Sequence, residues 1–227
     1  MNIKSKTIIR GGRLLDAKAH TAAYADILID NDTITEIGRP GLEAPADAKI
    51  FNAKNMLLHP GLVNAHTHSH GNLAKGLGDR WTLELLLAAS PWNYGERLFE
   101  DIYLSTTIGA VEMITKGCTA CYDLMVEMPA PTAAGLEAAG CAYSDVGMRA
   151  MIAPMVADKT LYEAIPGLMD ALTPSLRKDV ERFHLAPYQT SLKNVKTALA
   201  GWSLDTQLAR LAIAPTIPHH CDDVFMK

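Results

Sequence analysis

The stretch Met56-Leu57-Leu58-His59-Pro60-Gly61-Leu62-Val63-Asn64-Ala65-His66-Thr67-His68 decides how the chain is read. An apolar run, a Pro-Gly break and a second apolar run read as strand, turn and strand. The second strand, Leu62 to Ala65, brings two histidines to its C-terminal end. In an extended chain, residues i and i+2 leave the same face roughly 6.6 Å apart, so the imidazoles of His66 and His68 can converge on one cation. Neutral imidazole suits zinc, iron, copper or nickel, so the spacing proposes a transition metal without choosing it. A strand's C-terminal end is also where barrel enzymes hold their reacting groups.

Outward from this stretch, the organisation changes character at Pro60. Before it lie short β-rich runs with turn signals at Gly11-Gly12 and Asp30-Asn31-Asp32, as expected of hairpins. After it, apolar strands alternate with helical segments, which argues for parallel βα units. The expected strands are 62–65, 119–124, 149–154 and 211–215, and the expected helices are 83–89, 101–116, 131–145, 161–171 and 191–202. In the 101–116 helix, Ile102, Ser105, Ile108, Val111 and Ile114 fall near one face, which is expected to pack on the sheet. Gly38-Arg39-Pro40-Gly41 reads as a linker.

Composition narrows the function classes. At 48% hydrophobic and 20% charged residues, the chain suits a globular α/β protein able to bury a core. A net charge of -4 and the lack of a basic stripe with interleaved aromatics argue against a nucleic acid polymer as partner. Neither a signal-peptide pattern nor an apolar run of membrane-spanning length is visible, so no membrane partner and a cytoplasmic location are expected. Of the four cysteines, Cys118 and Cys121 form a CxxC without a second pair, and i and i+3 project to opposite faces of a strand. Cys118, Cys121 and Cys141 are read as packing residues, and four scattered thiols suit a reducing compartment.

The sequence resembles the amidohydrolase superfamily, in the branch holding aminohydrolases of purines, pyrimidines, triazines and S-adenosylhomocysteine-type nucleosides. The likeness is carried by 58–70 and extends to Thr7–Leu15 and Ala25–Gly38 upstream. Downstream it includes Lys116-Gly117-Cys118-Thr119-Ala120-Cys121-Tyr122-Asp123 and Ala214-Pro215-Thr216-Ile217-Pro218-His219-His220-Cys221. The resemblance implies a small β-rich domain of composite β-sandwich type over 1–58. It implies the N-terminal half of a metal-dependent hydrolase TIM (β/α)8 barrel over 59–227, with about four βα units. A whole barrel takes about 250 residues, so the chain reads as truncated. The implied glutamate that moves protons, and further ligands, would lie beyond Lys227, leaving no catalytic residue to name within the chain.

Residue by residue, the resemblance implies His66 and His68 as ligands of one divalent metal ion, zinc or iron(II). It implies His219 as a substrate contact, with His220 its less certain neighbour; the bland reading is two polar residues opening a helix. The stretch after the fourth strand contains no lysine of the kind that bridges two metals, which favours a one-metal, deaminase-type site. His70 and Asn72 either line the pocket or belong to an exposed polar loop. Trp81 either covers a ring-shaped substrate or packs. Asp123 either orients a ligand histidine through its free ring nitrogen or starts a turn. His59 reads as structural.

The implied activity is hydrolysis of a non-peptide C–N bond, above all deamination of a small nitrogen heterocycle by hydroxide generated at the metal. The alternatives are a non-catalytic half-barrel acting only with another chain, and an amide- or halide-releasing relative. A homodimer is expected. The chain alone, with two ligands where catalytic zinc takes three from protein, is expected to bind metal weakly and to be inactive.

Overall fold

The computed structural model describes residues 6–94 and 97–227; residues 1–5 of the expected first domain lie outside them. The chain divides into two compact units between Pro60 and Gly61.

The first unit is a single five-stranded sheet. Its strands are β1 (Lys6–Asp16), β2 (Thr21–Asp30), β3 (Thr33–Gly38), β4 (Lys49–Asn52) and β5 (Leu57–Leu58), in the order β3-β2-β1-β4 with β5 also on β1. β1 and β2 form an antiparallel hairpin from Lys6↔Asp30 to Asp16↔Thr21. The Gly11-Gly12 turn expected from sequence is instead a bulge within β1, where the register shifts between Ile9 and Gly12. Gly11 has φ +72°, a conformation that glycine adopts without a Cβ penalty. Its N–H, freed from the ladder, donates to Asp26 Oδ1 at 2.8 Å. The expected linker at 38–41 is likewise drawn into this unit, because Gly41 N–H donates to Asp26 Oδ2 at 2.8 Å.

The second unit alternates strands and helices. β6 (Leu62–Thr67) leads through a 3-10 turn (Ser69–Ala74) to α1 (Leu83–Tyr94) and α2 (Phe99–Thr115); β7 (Cys118–Met125), α3 (Ala133–Val146) and β8 (Arg149–Val156) follow. Then come α4 (Leu161–Ala164), α5 (Leu168–Ala171), α6 (Pro174–Val180), α7 (Tyr188–Gly201), β9 (Ala209–Leu211) and β10 (Ala214–Pro215). The strands pair in parallel, in the order β10-β8-β7-β6 with β9 also on β8. This is a partial TIM-type barrel. Its core packs Met125 of β7 and Ile152 of β8 against Leu136 and Tyr143 of α3 and Ile102 of α2.

Three expectations change. The 161–171 helix breaks into α4 and α5 at Ile165-Pro166-Gly167, where Gly167 has φ +75°. The 211–215 strand is two short pieces, and α6, capped by Thr173, was not foreseen. On α2 the buried face is Ile102, Ser105, Thr106, Gly109 and Ala110, while Ile108 and Val111 stay 44% and 46% exposed. The helix packs through its small residues because its neighbour comes too close for large ones: a Cβ on Gly109 would overlap the Asn72 amide.

Candidate metal and substrate site

The two histidines meet at the C-terminal end of β6, with His66 Nε2 3.1 Å from His68 Nε2. Alternation alone does not produce this. Asn64 turns to the helix side, where its Nδ2 reaches Met113 Sδ of α2 at 3.3 Å, and strict period-two geometry would send His66 the same way. Between Asn64 and Thr67, however, β6 spans three residues while β7 spans only Cys121 to Asp123. That irregularity is a bulge containing Ala65 and His66, of the kind that re-aims side chains at barrel rims.

The end of β7 holds the residues after the bulge. Leu124 O accepts from His68 Nδ1 at 2.8 Å, which puts the proton on Nδ1 and leaves Nε2 with its lone pair, facing His66 Nε2. Val126 N–H donates to His70 Nδ1 at 3.1 Å. Burial, with His68 and Arg97 nearby, pushes the His70 ring down to about 3, so it is neutral. Asp123 does not take a histidine ring nitrogen, as one reading of the sequence had it. It is fully buried; Oδ1 accepts from Ser69 N–H at 2.9 Å and Oδ2 from Tyr143 OH at 3.1 Å. Burial raises its pKa, opposed by the Ser69 and Tyr143 bonds and by His68.

Beside the pair lies a cavity of about 280 Å³, lined by His68, His70 and His220 together with the residues just past β7 and β8. Its walls are apolar, including Leu86, Leu87, Leu161, Tyr162, Leu185 and Ile217. Tyr162 OH donates to Ala88 O of α1 at 2.5 Å, tying α4 to α1.

The sequence candidates divide. His68, His70 and His220 are brought together, and burial with His219 alongside lowers the His220 pKa. His219 is exposed and not among the lining residues. Asn72 is a brace rather than a lining residue: Nδ2 donates to Ser69 O and Ser105 O, both at 3.0 Å. Trp81 is 43% exposed, and lies against Gly78 outside the lining. His59 Nδ1 lies 2.7 Å from Pro60 O, a local contact.

Glu127 and Lys159 were missed, and both line the cavity. They stand just past the C-terminal ends of β7 and β8, so the strand-end rule that singled out His66 and His68 was the available signal. The Glu127 carboxylate accepts from Thr132 N–H at 2.8 Å and Thr132 Oγ1 at 2.7 Å, and burial nevertheless raises its pKa. A Cβ on Gly135 would overlap that carboxylate, so glycine there makes room for it.

In a tetrahedral zinc site with Zn–N of about 2.05 Å, two ligand nitrogens stand roughly 3.3 Å apart, and the observed separation is 3.1 Å. The separation therefore matches one edge of a tetrahedron in length, as it does an imidazole–imidazole hydrogen bond. Among the described residues no group of three or more His, Cys, Asp or Glu side chains is placed to hold a metal. The four cysteines are free thiols, with Cys121 pushed up to about 12 by burial. No described helix is long and apolar enough to cross a membrane.

The structure thus places a histidine pair at a strand end of a parallel βα sheet that forms part of a TIM-type barrel. The amidohydrolase family profile matches residues 57–226, and the chain belongs to that family. It is 33% identical over 179 residues to a 5'-deoxyadenosine deaminase of Methanothrix thermoacetophila, covering 78% of this chain and 38% of that one. It is 29% identical over 216 residues to a 5-methylthioadenosine/S-adenosylhomocysteine deaminase of Thermococcus kodakarensis, covering 92% of this chain and 50% of the relative. In fold it resembles an atrazine chlorohydrolase from Arthrobacter aurescens complexed with zinc, with TM-score 0.73, 21% identity, and coverage of 95% of this chain and 48% of that one. An adenosine deaminase from Xanthomonas campestris with bound zinc gives TM-score 0.65 at 19% identity, with 97% and 45% covered. The chain thus spans half or less of the length of these relatives.

Proposed function

We propose that this chain forms the first half of the catalytic barrel of a metal-dependent hydrolase that deaminates a small nitrogen heterocycle, of the adenosine-like nucleoside class. The observation that carries the reading is the pair of imidazole nitrogens 3.1 Å apart beside an apolar cavity. The deaminase names of the curated relatives support the choice among hydrolytic reactions. One divalent ion, zinc or iron(II), would be held by His66, His68 and ligands from elsewhere. The chemistry such an ion supplies when bound is acidification of water at neutral pH.

This chain's own residues do the rest of what is assigned here. Leu124 O keeps the His68 proton on Nδ1, so Nε2 presents its lone pair. The leucine-rich wall and Tyr162 exclude water and pack a planar ring. His220, Glu127 and Lys159 supply the polar contacts that orient it, with His220 rather than His219 as the histidine facing substrate. A cytoplasmic location and a homodimer belong to the same reading. The location rests on the free thiols.

The test is made in the enzyme that carries this chain. His66→Ala and His68→Ala should strip the metal and abolish ammonia release from adenosine-type substrates. His220→Ala should lower kcat/KM with metal content unchanged, and His219→Ala should do much less. Full metal occupancy in the His66→Ala/His68→Ala double variant would overturn the ligand assignment. Metal loss in His220→Ala would overturn its role.

A further inference from the structure

We propose that Asp123 is a positioning residue for the histidine pair, fixing the backbone of Ser69 and, through it, the His68 ring in the orientation that leaves Nε2 open to a metal ion. The inference rests on the metal reading above and deepens it. The Ser69 N–H belongs to the peptide that begins at the His68 carbonyl, so its direction is set by ψ of His68. With that N–H held on Asp123 Oδ1, His68 sits at φ -133° and ψ 90°. Side-chain rotamers follow the backbone, so the ring is restricted before its own hydrogen bond to Leu124 O is counted.

The other backbone group of Ser69 is pinned from the opposite side. Ser105 Oγ of α2 donates to Ser69 O at 2.6 Å, and Asn72 Nδ2 donates to it at 3.0 Å. The carboxylate is itself fixed, with Tyr143 OH of α3 on Oδ2. Strand β7 and helix α2 therefore converge on Ser69, the neighbour of a proposed ligand, while α3 braces the carboxylate that holds it. Asp123 enters no salt bridge among those formed by the described residues, although burying a carboxylate without a cation costs several kcal/mol. A turn on the surface needs no such group; a ring that must keep one tautomer and one direction does.

Two readouts on the enzyme that carries this chain test this. The first is metal-free: the histidine side-chain 15N spectrum reports the His68 tautomer. The second is cobalt(II) affinity, followed by its absorption. The wild type should show one Nδ1-protonated tautomer. Asp123→Ala should mix the tautomers and weaken cobalt binding about 10–100-fold. Asp123→Asn keeps an acceptor for Ser69 N–H and should recover most of both. Val195→Ala, a cavity in α7 away from the clamp, should cost stability and leave both readouts unchanged. Should Asp123→Ala fail to fold, Tyr143→Phe and Ser105→Ala carry the test, each expected to shift the tautomer.

A folded Asp123→Ala chain with a single tautomer and wild-type affinity would overturn the proposal. So would Val195→Ala losing as much affinity, or unchanged tautomers in both Tyr143→Phe and Ser105→Ala. Cobalt binding that ignores His66 and His68, with a tautomer that still follows Asp123, would defeat the metal reading and support the clamp.

Discussion

Among the described residues, each unit buries one carboxylate almost completely, Asp26 in the β unit and Asp123 in the barrel unit, at 1% and 0% exposure. Asp26 is surrounded by compensation. Arg10 Nη1 stands 2.7 Å from Oδ2, and the N–H groups of Gly11, Gly41 and Leu42 all donate to the carboxylate. Burial alone would raise its pKa, but those hydrogen bonds outweigh burial and hold it below the usual range. Asp123 has one backbone N–H and one phenol, and its pKa is raised. The difference separates two uses of the same side chain. Asp26 closes a bulge and a loop, and its bonds stabilise what they join. Asp123 carries a net electrostatic cost beside the histidine pair, as groups at functional sites often do.

The largest expected effect tests the first half of that contrast. Asp26→Ala leaves a guanidinium and three backbone N–H groups without their acceptor, and should destabilise the β unit by about 3–5 kcal/mol. Amide exchange across β1 and β2 measures it, and unchanged protection there would remove Asp26 from the scaffold. Tyr143→Phe should cost about 1–3 kcal/mol, because one buried carboxylate oxygen loses its donor. Urea unfolding with exchange resolved over α3 and β7 gives that value.

The pH dependence should differ in sign. The folded pKa of Asp26 is depressed, so its contribution is present above the unfolded value of about 3.9 and is lost as pH falls through the folded value. That of Asp123 is raised, so its cost is absent below about 3.9 and grows as pH rises through the folded value. Comparing Asp26→Asn and Asp123→Asn with the wild type from pH 3 to 7 isolates each; slopes of the same sign would end the contrast. Smallest of all, Lys6→Ala removes a surface pair to Asp30 at 3.6 Å and should change stability by about 0–1 kcal/mol. A larger loss would mean that surface charge, not Asp26, anchors the hairpin.

Much of this architecture was legible in the residue pattern. The change at Pro60, the parallel order of β6, β7 and β8, and the histidine pair at a strand end all follow from short-range periodicity and Pro-Gly punctuation. The failures have a common source. Gly11-Gly12 looked like a turn, because a bulge and a turn use the same glycine conformation and only the partner strand tells them apart. On α2 the large apolar residues suggested the packing face, but the close approach of Asn72 selected the small ones. His219 and His220 are adjacent in sequence, and only the cavity wall distinguishes them.

The sequence by itself determined which side chains arrive at the strand ends, the two imidazoles of His66 and His68 among them. Tertiary structure decided how they are aimed. The bulge at Ala65 and His66 exists only relative to the register of β7, and the bonds that hold His68 and Ser69 come from residues 56 and 54 positions away. Periodicity is set by neighbouring dihedrals and can be read locally, whereas register, burial and cavity lining are properties of pairs far apart in the chain and arise only when the sheet forms.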